Sequence, residues 1–100
     1  MKAERFNDDK LKWSLVHFPS FEGMVKVLEF GAKKYSPHNW KKGLKKEEVI
    51  ESLLRHTFAI LNGELNDPES GLPHSGHIQC NTMFLTYIEE QEKKTKWKKN

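Results

Sequence analysis

Residues 45–63, KKEEVIESLLRHTFAILNG, decide the fold of this chain because they describe one long amphipathic helix. Its apolar side chains cover an unusually broad part of the helix surface: Val49, Ile50, Leu53, Leu54, Phe58, Ile60 and Leu61. Gly63 is the residue type that most often follows the last turn of a helix. We therefore predict a helix from Lys45 or Lys46 to Asn62. A helix with so broad an apolar surface must be covered on two sides, as in a bundle interior or an oligomer.

Two further helices flank this one. The first opens at Pro19 or Ser20 and follows the i, i+3, i+4, i+7 spacing of an amphipathic helix. Its apolar positions are Phe21, Met24, Val25, Leu28, Ala32 and Tyr35. The third opens near Pro73, a residue type favoured at the first helical position, and continues to about Glu92. Residues 1–20 show no period, so the predicted fold class is all-α: three main helices plus an extended N-terminal arm, with a helical bundle completed by oligomerisation.

Gly31 interrupts the apolar stripe of the first helix. A glycine in a helix interior costs up to about 1 kcal/mol relative to alanine. Close approach of another helix or of a ligand would offset that cost, so we expect a tight contact at Gly31.

Length and composition limit the classes of protein to which the chain can belong. At 100 residues, with 36% apolar and 31% charged residues, it has little material for a core, and self-association would ease that shortage. The single cysteine, Cys80, excludes an intramolecular disulfide framework and a cysteine zinc cage. There is no apolar leader and no apolar run of about 18 residues, so we expect a cytoplasmic protein without a signal peptide or a membrane span. We predict one domain, residues 1–92, and a lysine-rich tail, residues 93–100.

Charge is distributed unevenly along the chain. Residues 1–46 carry a net charge of +6, residues 47–92 carry −8, and residues 93–100 carry +5, which together give the overall +3. The acidic segment needs neutralising cations, and a divalent metal is the obvious candidate. The basic first part would supply ligands for phosphate, so the pattern favours a site where a metal and a polyphosphate meet. Two helices with solvated acidic faces remain the alternative interpretation.

Acidic and histidine residues form two candidate metal-binding patterns. Glu47, Glu48 and Glu51 read E-E-x-x-E, a spacing that brings two carboxylates onto one helical face within reach of a shared ion. A solvated helix start would show the same pattern. His74 and His77 lie three residues apart on the inward stripe of the third helix, where satisfied core histidines are the alternative.

The connection between the second and third helices is short enough for the two to pack antiparallel. The C-terminal half of one helix would then face the N-terminal half of the other. His56 would meet His74, His77 and the loop that carries Glu64 and Asp67. We expect a functional site at this point, with a structural zinc as a lesser possibility because four nitrogen or sulfur ligands are not obvious.

Covalent catalysis is not expected. Ser70 lies in Glu-Ser-Gly rather than in a glycine-flanked nucleophile elbow, and Cys80 sits in mid-helix beside no basic side chain. The sequence also contains no phosphate-binding P-loop.

A long motif spans the loop after the second helix and the start of the third. It reads Gly63-Glu64-x-x-Asp67-Pro68-Glu69-Ser70-Gly71-Leu72-Pro73-His74-x-x-His77-x-x-x-Asn81. Shorter pieces precede it: Phe30-Gly-Ala-Lys-Lys-Tyr35, Asn39-Trp40 and Arg55-His56. Together these motifs resemble the N-terminal-type domain of phage dATP/dGTP diphosphohydrolases, a family that includes MazZ-like enzymes. The likeness covers roughly residues 10–85.

The resemblance implies an all-α fold related to the MazG-like nucleoside triphosphate pyrophosphohydrolases, which are obligate oligomers. It implies hydrolysis of dATP or dGTP to monophosphate and pyrophosphate in nucleotide-pool control, by a homodimer or homotetramer in the cytoplasm, the host's if the chain is phage-encoded. In those enzymes acidic residues bind Mg²⁺ or Mn²⁺ and a water that attacks the α-phosphorus. The wider superfamily has E-E-x-x-E followed by E-x-x-D, and here His74-x-x-His77 stands at the second position.

Residue roles follow from the patterns and the resemblance together. The predicted catalytic residues are Glu51 and His56. The predicted metal ligands, for Mg²⁺ or Mn²⁺, are Glu48, Glu51, Glu64, Asp67, His74 and His77. The predicted substrate-binding residues are Lys33, Lys34, Asn39, Trp40, Arg55 and Asn81, with Trp40 or Tyr35 stacking on the base. The alternative function is a non-catalytic phage or host-regulatory module whose basic ends contact nucleic acid.

Overall fold

The computed structural model describes residue 4 and residues 8–98. Three α-helices carry the fold of this part: α1, Glu22–Lys34; α2, Lys46–Leu61; and α3, His74–Lys98. Short 3-10 helices cover Trp13–Leu15, Phe18–Phe21 and Asn39–Lys42. The described residues contain no strand, only an isolated bridge between Asn66 and Pro73. The prediction of an all-α fold with three main helices is therefore confirmed.

The end of α2 is fixed by Gly63, as the sequence predicts. Gly63 has a φ of +84°, the left-handed conformation that glycine adopts most easily. Its N–H donates to the Ile60 carbonyl at 2.9 Å, and the N–H of Glu64 donates to the Ala59 carbonyl at 2.9 Å. This pair of hydrogen bonds is the Schellman motif, which satisfies the last carbonyls of the helix and turns the chain sharply at Glu64.

The third helix is longer than the sequence indicates. It begins at His74, directly after Pro73, and continues through Lys98 instead of ending near Glu92. Residues 93–98, which fall in the predicted lysine-rich tail, extend the helix because they contain good helix formers and neither glycine nor proline. Residues 99–100 lie outside the described part of the chain. In that part, no helix combines the length and apolar character that a bilayer crossing requires.

The predicted arm, residues 1–20, is described at residue 4 and over residues 8–20. Its second 3-10 helix leads directly into α1, which begins at Glu22 rather than at Pro19 or Ser20. A hydrogen bond of 2.7 Å between His17 Nδ1 and the Ser20 hydroxyl accompanies this tighter turn. The rest of the prediction, for residues 1–3 and 5–7, lies outside the described residues.

α3 packs against both other helices, and its crossing with α1 is unusually close. A Cβ added to Gly76 would lie 2.8 Å from the carbonyl carbon and oxygen of Gly23, so the two backbones meet where neither residue has a side chain. Of the two explanations expected for Gly31, close approach of another helix does not occur among the described residues, because a Cβ there would meet nothing within 4 Å. Gly31 instead lines an open groove described below.

The chain buries very little apolar side chain. Among the described residues, Val49 and Cys80 are the buried apolar ones, and His74 and Asn81 are the buried polar ones. α3 covers one side of α2. Another side stays exposed at Leu54, Phe58 and Leu61, which we call the exposed α2 face and whose residues are 44%, 63% and 74% accessible. We predicted that α2 would be covered on two sides. In one copy of the chain, only the side that faces α3 is covered.

Candidate metal centre

The loop between α2 and α3 is held in one shape by its own hydrogen bonds. Asp67 accepts from the Ser70 N–H at its carboxylate, 2.9 Å, and from the Gly71 N–H at its backbone carbonyl, 2.7 Å. The Asp67 N–H donates to the Leu72 carbonyl at 2.8 Å. Gly71, with a φ of +71°, supplies the left-handed residue that closes the turn. The Asp67 side chain is thus fixed in position.

Three side chains from three parts of the chain meet beside this loop: His56 from α2, Asp67 from the loop, and His74 from the start of α3. One nitrogen of each imidazole and one oxygen of the carboxylate all lie within 4.8 Å of one another. The Nδ1 atoms of His56 and His74 are 2.7 Å apart. We call His56, Asp67 and His74 the histidine centre. The predicted convergence of α2, the loop and α3 is what produces it.

His74 is the most enclosed member of the centre, at 3% accessible. Its second nitrogen, Nε2, lies 2.7 Å from Glu64 Oε1. A carboxylate without a proton can only accept, so Nε2 carries the hydrogen and donates it to Glu64. The Nδ1 lone pair of His74 then points toward His56, and the turn at Gly63 is what brings Glu64 within reach.

His77 lies behind the centre. Its ring is stacked on that of His56, with centroids 4.4 Å apart and an interplanar angle of 5°. Its Nε2 is 2.7 Å from the Ser70 hydroxyl and 3.9 Å from Asp67 Oδ2. His77 therefore supports both the imidazole of His56 and the loop.

Burial and hydrogen bonding set the protonation of these groups. Burial lowers the pKa of His56, and the neighbouring imidazoles of His77 and His74 lower it further. Burial also lowers the pKa of His77. For Asp67, burial favours the neutral acid, but the hydrogen bonds from Ser70 outweigh it and the pKa lies below its usual range. Near neutral pH, His56 and His77 are neutral and Asp67 is ionised, which are the states that bind metal ions.

The acidic pattern at the start of α2 lies away from this centre. Glu48 is exposed in the first turn of α2, about 12 Å along the helix axis from His56. Glu51 lies nearer, in an open groove of about 540 Å³ whose lining also includes Arg55 and Glu64. We call this depression the α2 groove. Glu64 lines this groove and also contacts His74, so the α2 groove borders the histidine centre.

The predicted substrate residues are divided between two places. Lys34, Asn39 and Trp40 line a groove of about 780 Å³ between α1, the segment 35–44 and α3. We call it the aromatic groove, since its lining includes Phe30, Tyr35, Trp40, Phe84 and Tyr87. Arg55 lies in the α2 groove, and Lys33 is exposed in the last turn of α1.

Two predicted substrate residues make contacts within the protein. Trp40 packs against Phe84 and Tyr87, with ring centroids 4.9 and 5.1 Å away, so it forms part of the wall of the aromatic groove. Asn81 is buried and donates from Nδ2 to the Ser52 hydroxyl at 3.1 Å, which ties α3 to α2.

Lys34 connects the aromatic groove with the loop of the centre. Its Nζ lies 2.9 Å from Glu69 Oε1, and the two side chains are 48% and 69% exposed. The hydrogen bond to Glu69, and then the charge on that carboxylate, raises the pKa of Lys34. Such an exposed ion pair contributes little to stability, so Lys34 can exchange Glu69 for another anion.

Sequence reasoning missed Ser70 as a member of the site. Its hydroxyl forms a hydrogen bond with His77 and accepts another from the Leu72 N–H at 3.2 Å. Its backbone N–H donates to the Asp67 carboxylate. The Asp-Pro-Glu-Ser order is a signal for this arrangement, because an aspartate often accepts from a backbone N–H in a following turn. The close contact of Gly23 with Gly76 had no comparable signal, since it depends on how two distant helices cross.

Comparison with known proteins gives one family and one curated relative. The family described as "dATP/dGTP diphosphohydrolase, N-terminal" matches residues 1–98. A "dATP/dGTP diphosphohydrolase" of Salmonella phage PMBT28 is 31% identical over 88 residues, which are 88% of this chain and 30% of that protein. The chain therefore spans about a third of the length of this relative. No solved structure matches.

Proposed function

Because the chain belongs to the family described as dATP/dGTP diphosphohydrolase, N-terminal, we propose that it hydrolyses a purine deoxynucleoside triphosphate to the monophosphate and pyrophosphate. The observation that carries this proposal is the histidine centre. The loop of this centre and the start of α3 carry the long motif from Gly63 to Asn81 that resembles the family. The donor atoms of the centre lie within 4.8 Å of one another. We further propose that the reaction is metal-dependent and serves nucleotide-pool control in the cytoplasm, the host's if the chain is phage-encoded.

The donor set fits a divalent cation. His56 and His74 offer imidazole nitrogens, and Asp67 offers an ionised carboxylate oxygen. Three protein ligands leave coordination positions open for water or phosphate oxygens, as in catalytic rather than structural metal sites. When bound, the cation would polarise the phosphate and lower the pKa of a coordinated water. Mg²⁺ and Mn²⁺ are the ions that the sequence predicts.

The basic residues around the centre would offset the charge of a triphosphate. Arg55 lies in the α2 groove, and Lys33 and Lys34 lie at the end of α1. A phosphate would compete with Glu69 for Lys34. The ion pair of Lys34 with Glu69 is exposed and therefore weak, so the phosphate could displace Glu69. Positive side chains on the transferred group stabilise the charge that develops there.

A proton acceptor for the attacking water is needed as well. His56 and Glu51 are the two catalytic residues that the sequence predicts. If Nδ1 of His56 binds the cation, that atom has no lone pair left for a proton. We therefore propose that His56 holds the cation and that the carboxylate of Glu51, in the α2 groove, accepts the proton.

The aromatic groove suits a purine base. Its volume, about 780 Å³, falls within the range of small-molecule sites, roughly 300 to 1,000 Å³. The base would stack against the walls formed by Tyr35 and Trp40, and Asn39 offers an amide to its polar edge. Lys34 at the same groove would direct the phosphates toward the loop.

We also propose that the chain acts as a homodimer or homotetramer. The exposed α2 face, Leu54, Phe58 and Leu61, is apolar, and Leu65 in the following loop is also 76% accessible. A chain with so few buried side chains gains most by covering this face with a second copy. Leu54 and Phe58 also line the α2 groove, so the second copy would form one wall of the groove that holds Glu51 and Arg55.

The test is incubation of the purified protein with each deoxynucleoside and ribonucleoside triphosphate and one of Mg²⁺, Mn²⁺, Co²⁺ or Zn²⁺, with separation of the products. We expect monophosphate and pyrophosphate from a purine deoxynucleotide, and loss of this activity in His74→Ala but not in the control His17→Ala, whose histidine is exposed outside the centre. Absence of turnover from every nucleotide, with the helices intact by circular dichroism, would contradict the proposal. Salt-sensitive binding to nucleic acid would then favour the non-catalytic module.

A further inference from the structure

We propose that the histidine centre selects a late first-row transition metal, Fe²⁺, Co²⁺ or Zn²⁺, over Mg²⁺, and that Glu64 positions His74 for this purpose. The inference rests on the proposed function for its biological role, but it concerns metal binding alone. It begins from the chemistry of the donors. Two of the three converging groups are imidazoles, from His56 and His74, and one is a carboxylate, from Asp67.

The donor types discriminate between metals. Mg²⁺ binds oxygen ligands in octahedral geometry and loses its water reluctantly, so protein sites for it are built from carboxylates. Imidazole nitrogens suit zinc, iron and their neighbours in the series. Two histidines and one carboxylate, with positions left open, are a recurrent set in catalytic sites for such metals. The acidic pattern that would suit Mg²⁺ lies elsewhere, with Glu48 exposed in the first turn of α2.

Without a metal, the imidazoles of His56 and His74 share a hydrogen bond between their Nδ1 atoms. Metal binding by both atoms would replace this hydrogen bond. In a neutral His74 whose Nε2 donates to Glu64, Nδ1 is an acceptor. The 2.7 Å contact between the two Nδ1 atoms therefore requires the hydrogen of His56 to be on its Nδ1. If both Nδ1 atoms bind a metal, the hydrogen of His56 must move to its Nε2. His74 keeps its hydrogen on Nε2 throughout.

Glu64 is a positioning residue in this arrangement. It accepts from Nε2 of His74 at 2.7 Å and so holds the ring with Nδ1 directed toward His56. Carboxylates behind metal-binding histidines act in this way, and their loss typically costs 10- to 100-fold in metal affinity. The glutamate is itself held by the Schellman turn at Gly63, which places its N–H on the Ala59 carbonyl. The role of Glu64 thus depends on the end of α2 as well as on its own side chain.

The first test is calorimetry on the full chain, stripped of metal with a chelator and titrated with Zn²⁺, Co²⁺ and Mg²⁺ in the absence of nucleotide. We expect one saturable site per chain for Zn²⁺ and Co²⁺ and none for Mg²⁺ at the concentrations where Zn²⁺ saturates. Asp67→Asn should weaken Zn²⁺ binding strongly. Mg²⁺ binding as tight as that of Zn²⁺, or no saturable binding of Zn²⁺ and Co²⁺, would overturn the proposal.

The second test uses the wild-type protein, so it does not depend on a variant that fails to fold. Nitrogen NMR of the imidazoles should show the hydrogen of His56 moving from Nδ1 to Nε2 when Zn²⁺ is added, with His74 unchanged. A hydrogen that stays on Nδ1 of His56 in the presence of saturating Zn²⁺ would refute ligation by that atom.

The role of Glu64 has its own variants. Glu64→Ala should lower Zn²⁺ affinity by roughly 10- to 100-fold, and Glu64→Gln should recover part of it because the amide oxygen still accepts from Nε2. Glu69→Ala is the matched control, since it removes a carboxylate from the same loop that contacts Lys34. Equal Zn²⁺ affinities of Glu64→Ala and Glu69→Ala would show that Glu64 does not position His74.

The two proposals fail in different ways. Tight Zn²⁺ binding without turnover of any nucleotide would leave the centre intact and contradict the hydrolase. Turnover supported by Mg²⁺ alone, with no Zn²⁺ site in the calorimeter, would leave the hydrolase intact and contradict the centre.

Discussion

His74 lies at the first position of α3, where the loop of the histidine centre passes into that helix. The residue is almost fully buried, and both of its ring nitrogens have partners, Glu64 and His56. An imidazole with one nitrogen held by a carboxylate keeps a fixed ring orientation. The centre is therefore organised by the fold before any ligand arrives.

Ser70→Ala should destabilise the folded chain by about 1 kcal/mol. The serine hydroxyl bonds His77 and accepts from the Leu72 N–H, and alanine can replace neither contact. Urea unfolding followed by circular dichroism measures the change. Ser75→Ala, at an exposed position of α3, is the control and should unfold nearly as the wild type does. Identical midpoints for the two variants would show that the loop does not depend on this hydroxyl.

Cys80 should be unreactive in the folded protein. Burial raises the pKa of its thiol to about 12, and the sulfur lies 3.3 Å from the Met24 carbonyl. The thiol stays protonated near pH 8, and only the thiolate attacks alkylating and disulfide reagents. Labelling should therefore follow unfolding when urea is increased. Rapid labelling under native conditions would place Cys80 at the surface.

Among the elements, α3 makes the contacts that hold the other two helices. It begins at the histidine centre, crosses α1 at Gly23 and Gly76, and carries Phe84 and Tyr87 to the aromatic groove. The two candidate sites are thus built on one continuous helix. Their spacing is set by the helical rise rather than by a flexible loop.

Gly76→Ala should destabilise the fold by roughly 1–3 kcal/mol, because its methyl group would overlap the backbone of Gly23 at 2.8 Å and force the helices apart. Gly31→Ala is the matched control. It lies inside α1 with open space around the added carbon, so it should stabilise the chain by up to about 1 kcal/mol. Thermal unfolding of both variants gives the comparison. Equal changes in melting temperature for the two variants would show that the contact between Gly23 and Gly76 does not limit the substitution.

The elements were largely predictable, and the contacts between them were less so. The broad apolar surface of α2 and the glycine at position 63 mark a helix and its end, because both signals are local. His56 and His74 could be expected to meet once an antiparallel pair was assumed. The partners of their second nitrogens, and the hydrogen bond of Ser70 to His77, depend on side-chain directions that spacing does not supply. For the same reason the close contact of Gly76 with Gly23 was not predicted.

At the scale of the whole molecule, one copy of the chain leaves much apolar surface accessible. Besides the exposed α2 face, the segment before α1 exposes Leu11, Trp13 and Leu15, at 80%, 67% and 83%. Acidic and basic segments alternate along the sequence, so surfaces of opposite charge are available for pairing of two copies.

Phe58→Lys should convert the proposed oligomer into monomers. The side chain is 63% accessible at the centre of the exposed α2 face, and a buried lysine without a partner would oppose association. Light scattering after size exclusion measures the mass. Thr82→Lys, which adds the same charge at an exposed position of α3, should leave the mass unchanged. A monomeric wild-type protein, or an oligomeric Phe58→Lys variant, would rule out this face as the interface.

If a second copy covers the exposed α2 face, the small core of one copy makes folding and association one equilibrium. If the exposed α2 face is satisfied by a second copy, the free energy of unfolding follows mass action, and the melting temperature rises with the concentration of the protein. Dilution would then disassemble the metal centre along with the fold, since His56 lies on the same helix as the interface. The amount of protein made in a cell would set the fraction that is active, without any regulatory ligand.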